Sequence, residues 1–594
     1  MSRPAERRKT MSSLLKAMEA NLSESDVRML KSIYEPRVVG VPGEDSRRSI
    51  TVMPDGEIRV YGRANIKAVF RENEGDMVYL SSRDCGLSWK PVYAPKGAMG
   101  SCVYDEKNKR FLTVKPGTWC LISDIGPDDT APRRIRISTR GYFDMFQPIR
   151  ISTGRWLCPA QARTETEEDG KCIMNYNSAV FRSDDDGESW SVTDLKSAPR
   201  FETVWPHKSS RWENNGSECT LTELADGRIM LISRTSQDWF YAYYSSDGGE
   251  TWTDGEPSPF HGTLTTPFLL KLSDGRIIHF WNNSQPLAEV DKESYWPPLG
   301  KDCIDAVWED VFTNRDVNHA AISEDGGKTW IGFRELGLNE IRNASDFRSA
   351  GGMVSSADKS VHQFQAVELP FGKVLVSYGQ HEISRRLVIF DVNWLYEKSR
   401  TETFIDGLKN MTTHVYVKSV SESQVGKGLP GHCAWNRTNG ALLVPDPQGN
   451  YGEALQITRI DDPRLVSPLQ GAVWNFPAMK KGRVVIDVRI EGAGLRLSLT
   501  DRWFNAADEY IWYYAQFTTE LEKGLCGRGE WVRLSVHFDC DAGKAVAECN
   551  GKELFAIKMK DSAPNGISYL HLQTLASAPD PRGAYIRYLH AEEE

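Results

Sequence analysis

Short apolar runs, each closed by a polar turn, recur through the first 330 residues. Residues 77–80, 178–181, 240–244 and 319–322 are such runs; they are too short for amphipathic helices and read as buried strands. Each leads into the same eight-residue pattern, Ser-x-Asp-x-Gly-x-[Ser/Thr]-Trp, beginning at Ser82, Ser183, Ser245 and Ser323. In such a turn the Asp carboxylate accepts backbone N–H bonds, Gly supplies a positive φ and the Trp ring fills the gap between neighbouring sheets. A second repeat is a tight turn before an apolar strand, at residues 54–58, 105–111, 152–156, 225–229, 273–277 and 370–374. Six such hairpins predict six four-stranded units. About 80 residues separate the third and fourth Trp-ended turns, where roughly 40 make an ordinary blade. The excess predicts a long insertion over residues 285–312.

The flanking segments follow other periods. Leu14, Leu15, Met18, Leu22, Val27, Leu30 and Ile33 repeat at helical spacing, with a break and a fresh N-cap over residues 23–26. Residues 37–41 form a strand expected to close the ring by joining the last blade, which removes an open sheet edge. The ring is expected to end near residues 387–396. Beyond residue 412 short strands at 484–488, 495–499, 531–536 and 545–548, with the Asn550-Gly551 turn, predict a jelly-roll or concanavalin-like β-sandwich. The reading is therefore all-β: a helical segment 1–36, a six-bladed β-propeller 37–398, a linker 399–411 and an accessory sandwich 412–594.

The Trp-ended turns are Asp boxes, and the chain is identified by them as resembling the sialidase superfamily. That resemblance implies a propeller whose Asp boxes lie on the face away from the substrate. It also implies a set of site residues. A Glu at the start of one strand and an Arg at the end of the next point into the central cavity in this family, and Glu218 and Arg234 match those places. Three arginines surround the substrate carboxylate, because a guanidinium fork meets both oxygens in one plane. Arg315 fits one place, and Arg47 or Arg48 another, although the proline that usually follows is missing.

The family's Tyr nucleophile, an exception to the two-carboxylate scheme of most glycosidases, has no counterpart in residues 358–369. His362 beside Gln363 stands there instead, and an imidazole can act as acid or base near neutral pH. His319 and His381 are further cavity candidates. The first-blade loop shows no match to the family's acid, so the insertion is the next source. Glu309 and Asp310, beside Trp308 as a stacking ring, are its candidates.

Composition narrows the classes. The net charge of −9 comes without a basic stripe, which argues against nucleic acid or an anionic membrane as partner. Eleven scattered cysteines without CxxC spacing read as free thiols of a reducing compartment, and no apolar stretch follows the charged N-terminus, so a cytoplasmic location is expected. No phosphate-binding Gly-rich loop, metal-spaced histidines or serine elbow is found, so neither cofactor nor metal is expected. The expected partner is a carbohydrate, and the accessory domain allows a homo-oligomer. The expected function is exo-acting hydrolysis of a terminal, acidic sugar. Two alternatives remain open: a polysaccharide lyase acting on uronates, or a non-catalytic glycan-binding propeller.

Overall fold

The structure is a computed structural model. It describes residues 12–42, 49–61, 78–115, 118–143, 146–168, 171–208, 211, 215–262, 264–288, 315–337, 343, 360–379, 384–418, 436–449, 452–522 and 529–594. Six antiparallel sheets follow one another along the chain and form the blades of a β-propeller. Blade four shows the plan. Cys219–Glu223, Ile229–Ser233, Trp239–Ser245 and Glu256–His261 pair in sequence order. Blade six holds Gln365–Leu369, Lys373–Tyr378 and Arg386–Asp391, and its fourth strand is Arg37–Gly40 from the N-terminal side. The ring is thus closed by pairing its two ends, as the pattern predicted.

The Asp boxes hold the turn between the third and fourth strands of their blades. In the third box Asp247 Oδ1 accepts from Thr251 N at 3.0 Å and from the Ser245 hydroxyl at 2.8 Å. The Ser245 hydroxyl in turn accepts from Gly249 N at 2.8 Å. Burial disfavours the charged form of Asp247, yet these donors outweigh it and hold the carboxyl below its ordinary range. Trp330 of the last box packs on Phe260 with ring centroids 5.0 Å apart, inside the apolar cluster that joins blades four and five.

The N-terminal helices α1 (Ser13–Ala20) and α2 (Glu24–Ser32) bury Leu15, Met18 and Leu30 against blades one and six. The expected break is a capping box: Ser23 accepts from Asp26 N, and the Asp26 carboxylate accepts from Ser23 N at 2.9 Å. Blade three departs from the expectation of short strands, since Trp156–Glu168 and Lys171–Ser183 form a long hairpin of 13 residues a side.

The C-terminal module packs an eight-stranded sheet on a five-stranded one around Trp474, Phe476, Leu497, Phe517 and Leu572. The polar stretch read as a linker contributes a strand of its own. Ser399–Glu402 pairs with the final strand, Asp580–Glu593. Cys85, Cys102, Cys120, Cys158 and Cys219 are buried without disulfides. Among the described residues no helix is long and apolar enough to cross a membrane.

Candidate active site

Strand order decides where the candidate side chains meet. Glu218 precedes the first strand of blade four and Arg234 follows the second, so antiparallel pairing brings both to one end of the sheet. The Asp boxes lie at the other end. Arg315 precedes the third strand of blade five, His319–Ser323, and His362 and Gln363 precede the first strand of blade six. All five residues therefore belong to the same face of the ring.

The Glu218 carboxylate is buried, is ion-paired with Arg234 and accepts from the Thr266 hydroxyl at 2.7 Å. Its backbone is fixed from below. Gly216, at φ 150°, passes so close to blade three that a Cβ there would stand 2.8 Å from Asn177 Cα. The Gly216 carbonyl accepts from the Ser178 hydroxyl at 2.8 Å. Arg315, also buried, donates to the Leu264 carbonyl, and its Nη1 lies 3.4 Å from His362 Nε2. A guanidinium has no acceptor, so in that contact the imidazole nitrogen accepts. Leu264 N donates to the Thr235 carbonyl at 3.2 Å. Leu264 and Thr266 thus tie the Glu218–Arg234 pair to the Arg315–His362 pair.

Three residues of this cluster hold left-handed backbone: Glu218 at φ 37°, Leu264 at φ 39° and Gln363 at φ 70°. Such conformations in residues bearing a Cβ cost on the order of 1–3 kcal/mol each and concentrate at functional sites. Beside them the ring encloses a cavity of about 240 Å³ lined by Phe146, Gln147, Thr220, Thr266, Phe364 and Gln365, among others. Gln365 Oε1 accepts from Ile50 N at 2.6 Å, and Gln147 Nε2 donates to the Ile50 carbonyl at 3.2 Å. These contacts bring the start of blade one to the same axis.

His319 is engaged elsewhere. Its Nδ1 accepts from Asn283 N at 3.1 Å, its Nε2 meets the Tyr569 hydroxyl, and its ring packs on Trp281. It is a contact between propeller and sandwich and does not join the Glu218 cluster; its place at a strand start put it on the right face but on the sandwich side. Arg47, Arg48, Trp308, Glu309, Asp310 and His381 lie outside the described residues.

Three contributors escaped the sequence reading. Thr266 and the Leu264 carbonyl carry no charge to attract notice, and nothing in the sequence pattern marks them. Asp316 sits beside Arg315 and is fully buried. It accepts from Arg437 and Tyr416 of the sandwich, and His414 Nε2 lies 3.2 Å away. The sandwich therefore grips the residue next to Arg315.

A family model described as "BNR repeat-like domain" matches residues 123–339. No curated protein matches the chain. Among solved structures, a protein of unknown function from Dyadobacter fermentans is 16% identical with a TM-score of 0.37, covering 60% of this chain and 98% of its own. A Trypanosoma rangeli sialidase mutant displaying trans-sialidase activity is 12% identical with a TM-score of 0.28, covering 95% of each chain. A structure titled "Sialidase" is 12% identical with a TM-score of 0.25, covering 94% of this chain and 49% of its own. The chain is thus a six-bladed β-propeller with four Asp boxes, and over part of that propeller, residues 123–339, it matches the BNR repeat-like domain.

Proposed function

We propose that the protein is an exo-acting glycoside hydrolase that removes a terminal, acidic sugar from a glycan. The observation that supports this reading most is the joining of an ion pair, Glu218–Arg234, and a hydrogen-bonded pair, Arg315–His362, through the strained backbone at Leu264 beside a small axial cavity. A cavity of about 240 Å³ suits one terminal sugar ring better than the interior of a chain, which favours exo action. Arg234 and Arg315, with Arg47 or Arg48, are the guanidinium groups proposed to meet the sugar carboxylate. Substrate entry then competes with the bonds they make to Glu218 and to Leu264.

In this reading Glu218 acts as general base. It takes a proton from water while the water oxygen bonds to the anomeric carbon, and the glycosidic oxygen leaves with a proton from an acid. Glu309 and Asp310 are the candidates for that acid, with His362 as the alternative proton carrier. Glu218→Gln tests the scheme, because the amide keeps the shape and removes the base. Products from a panel of acidic and neutral glycosides, read by mass spectrometry, should fall by at least about a hundredfold. Unchanged turnover of the substrate accepted by the wild type would sink the reading.

A second reading, a polysaccharide lyase, draws support from the acceptor role of His362 Nε2 toward Arg315. A ring nitrogen in base form next to a guanidinium suits abstraction of the proton α to a neutralised uronate. An ultraviolet-absorbing unsaturated product would select this alternative. Binding without turnover across the panel would select the glycan-binding propeller.

A further inference from the structure

The described surface carries one cluster of exposed aromatic rings in which both modules take part. Trp205 comes from the loop that leads into Glu218; Trp512 and Tyr513 come from the one-turn helix Ile511–Tyr514 of the sandwich. They are 53%, 39% and 48% exposed, although rings of this size are usually drawn inside. Trp205 lies 4.8 Å from Tyr513, 5.4 Å from Tyr510 and 6.0 Å from Trp512, centroid to centroid, and meets both tyrosines nearly edge-on at 88–89°. The rings thus present faces in more than one direction, with hydroxyl and indole N–H groups at their edges.

The cluster is held from beneath. Ile511 and Ala515 are fully buried, and Lys560 Nζ donates to the Trp512 carbonyl at 2.8 Å. On the propeller side His207, two residues after Trp205, lies 3.3 Å from Arg211. Arg211 donates to the Ser236 carbonyl at 3.0 Å and to Asp238 at 2.6 Å, just beyond Arg234. Gln285 Nε2 donates to the other Asp238 oxygen at 3.0 Å, and Arg502 Nε donates to Gln285 Oε1 at 2.9 Å. One buried polar chain therefore links the loop carrying Trp205, the loop after Arg234 and the sandwich. Burial opposes ionisation of Asp238, but Arg211 and His207 outweigh it and keep the carboxyl below its ordinary range.

We propose that Trp205, Trp512 and Tyr513 form a glycan platform that holds the part of the chain beyond the sugar being removed. This rests on the hydrolase reading for its purpose, though not for its geometry. A pyranose offers one C–H face for stacking and a rim of hydroxyls, and this cluster offers ring faces bordered by polar groups. The loop bearing Trp205 is also tied to the loop that follows Arg234, through His207, Arg211 and Asp238. Among the described residues, Val204 is the exposed aliphatic side chain next to Trp205 in sequence.

The test uses the full chain carrying Glu218→Gln, so that binding is read without turnover, with oligogalacturonate as acidic probe and cello-oligosaccharide as neutral probe. Calorimetry is expected to show binding of at least one probe, weakened about tenfold by Trp512→Ala and restored in large part by Trp512→Tyr, in keeping with one lost stacking contact. In the chain with Glu218 intact, Trp205→Ala should lower kcat/KM for long substrates more than for aryl monoglycosides. Equal losses on long and short substrates, or no probe binding in a protein that hydrolyses aryl glycosides, would overturn the platform. So would a dimer in sedimentation that Trp512→Ala dissociates. Platform-dependent binding with no hydrolysis of any substrate would support the platform and remove the hydrolase reading instead.

Discussion

Glu218, Leu264 and Gln363 keep their left-handed backbone because their surroundings leave no other arrangement. The Glu218 carbonyl accepts from Arg234 N at 3.3 Å, Leu264 is pinned on both sides by Thr235 and Arg315, and the neighbouring His362 carbonyl accepts from Gly379 N at 2.8 Å. The strain is local, and these hydrogen bonds compensate it, mostly from within the same blade. A different kind of residue-level tension sits under the aromatic helix. Asp508 is buried, and desolvation pushes its carboxyl up to about 7, while Oδ1 still accepts from Tyr510 N at 2.8 Å. Its folded pKa is above its unfolded value of 3.8, so its stabilising contribution is complete below that value and is lost as pH rises through about 7. Asp508→Asn keeps the acceptor and removes the charge. The variant is expected to melt higher than the wild type near pH 8 and to show no advantage near pH 4; scanning calorimetry at the two pH values checks it.

The sandwich strands Val415–Val417 and Asn436–Thr438 act on the site as one element. Tyr416 and Arg437 reach from paired positions of this hairpin to the Asp316 carboxylate, 121 residues away in sequence for Arg437. Removing one member of a fully buried ion pair costs about 3–5 kcal/mol, because the other charge is left behind. Arg437→Met should therefore lower the denaturation midpoint strongly, and Asp316→Asn in the same chain should recover part of the loss. Additive losses in this double-mutant cycle would show that the two residues are not coupled. No sequence pattern points to this clamp, because its members are single polar residues in unrelated strands. The blades were legible for the opposite reason. Asp247, Gly249 and Trp252 satisfy a turn from within eight residues, so the turn can be read wherever it recurs. Glu218 and Arg234 were singled out by their match to the family pattern, and they meet because hairpin pairing places a strand start beside the next strand's end. His319 was misplaced because strand position says which face a residue occupies, but not what another module lays against it.

At the scale of the whole molecule, burial disfavours the charged form of three histidines: His261 where propeller meets sandwich, His279 between blades four and five, and His571 inside the sandwich. His261, beside Asp501 at 3.0 Å and Arg502 at 3.1 Å, is held below its ordinary value first by burial and then by Arg502. Burial alone does the same, more strongly, to His279, which is stacked on Trp281 at 4.7 Å and has no hydrogen-bond partner among the described residues. His571 is pushed down to about 4, again chiefly by burial. All three have folded values below the ordinary 6.5, so their contribution is complete above that pH and drains away as pH falls toward about 4. Asp508 works against them over the same interval, since its neutral form is the folded one. Unfolding near pH 5 is then expected to take up protons on balance, so that stability falls as pH falls. Urea denaturation at a series of pH values between about 6.5 and 5 measures that slope, and a flat profile would contradict it. Asp508→Asn should steepen the loss by removing the opposing group. His279→Phe should flatten it, because the ring already lies among Phe260, Trp281 and Trp330 and a phenyl there has no proton to take up.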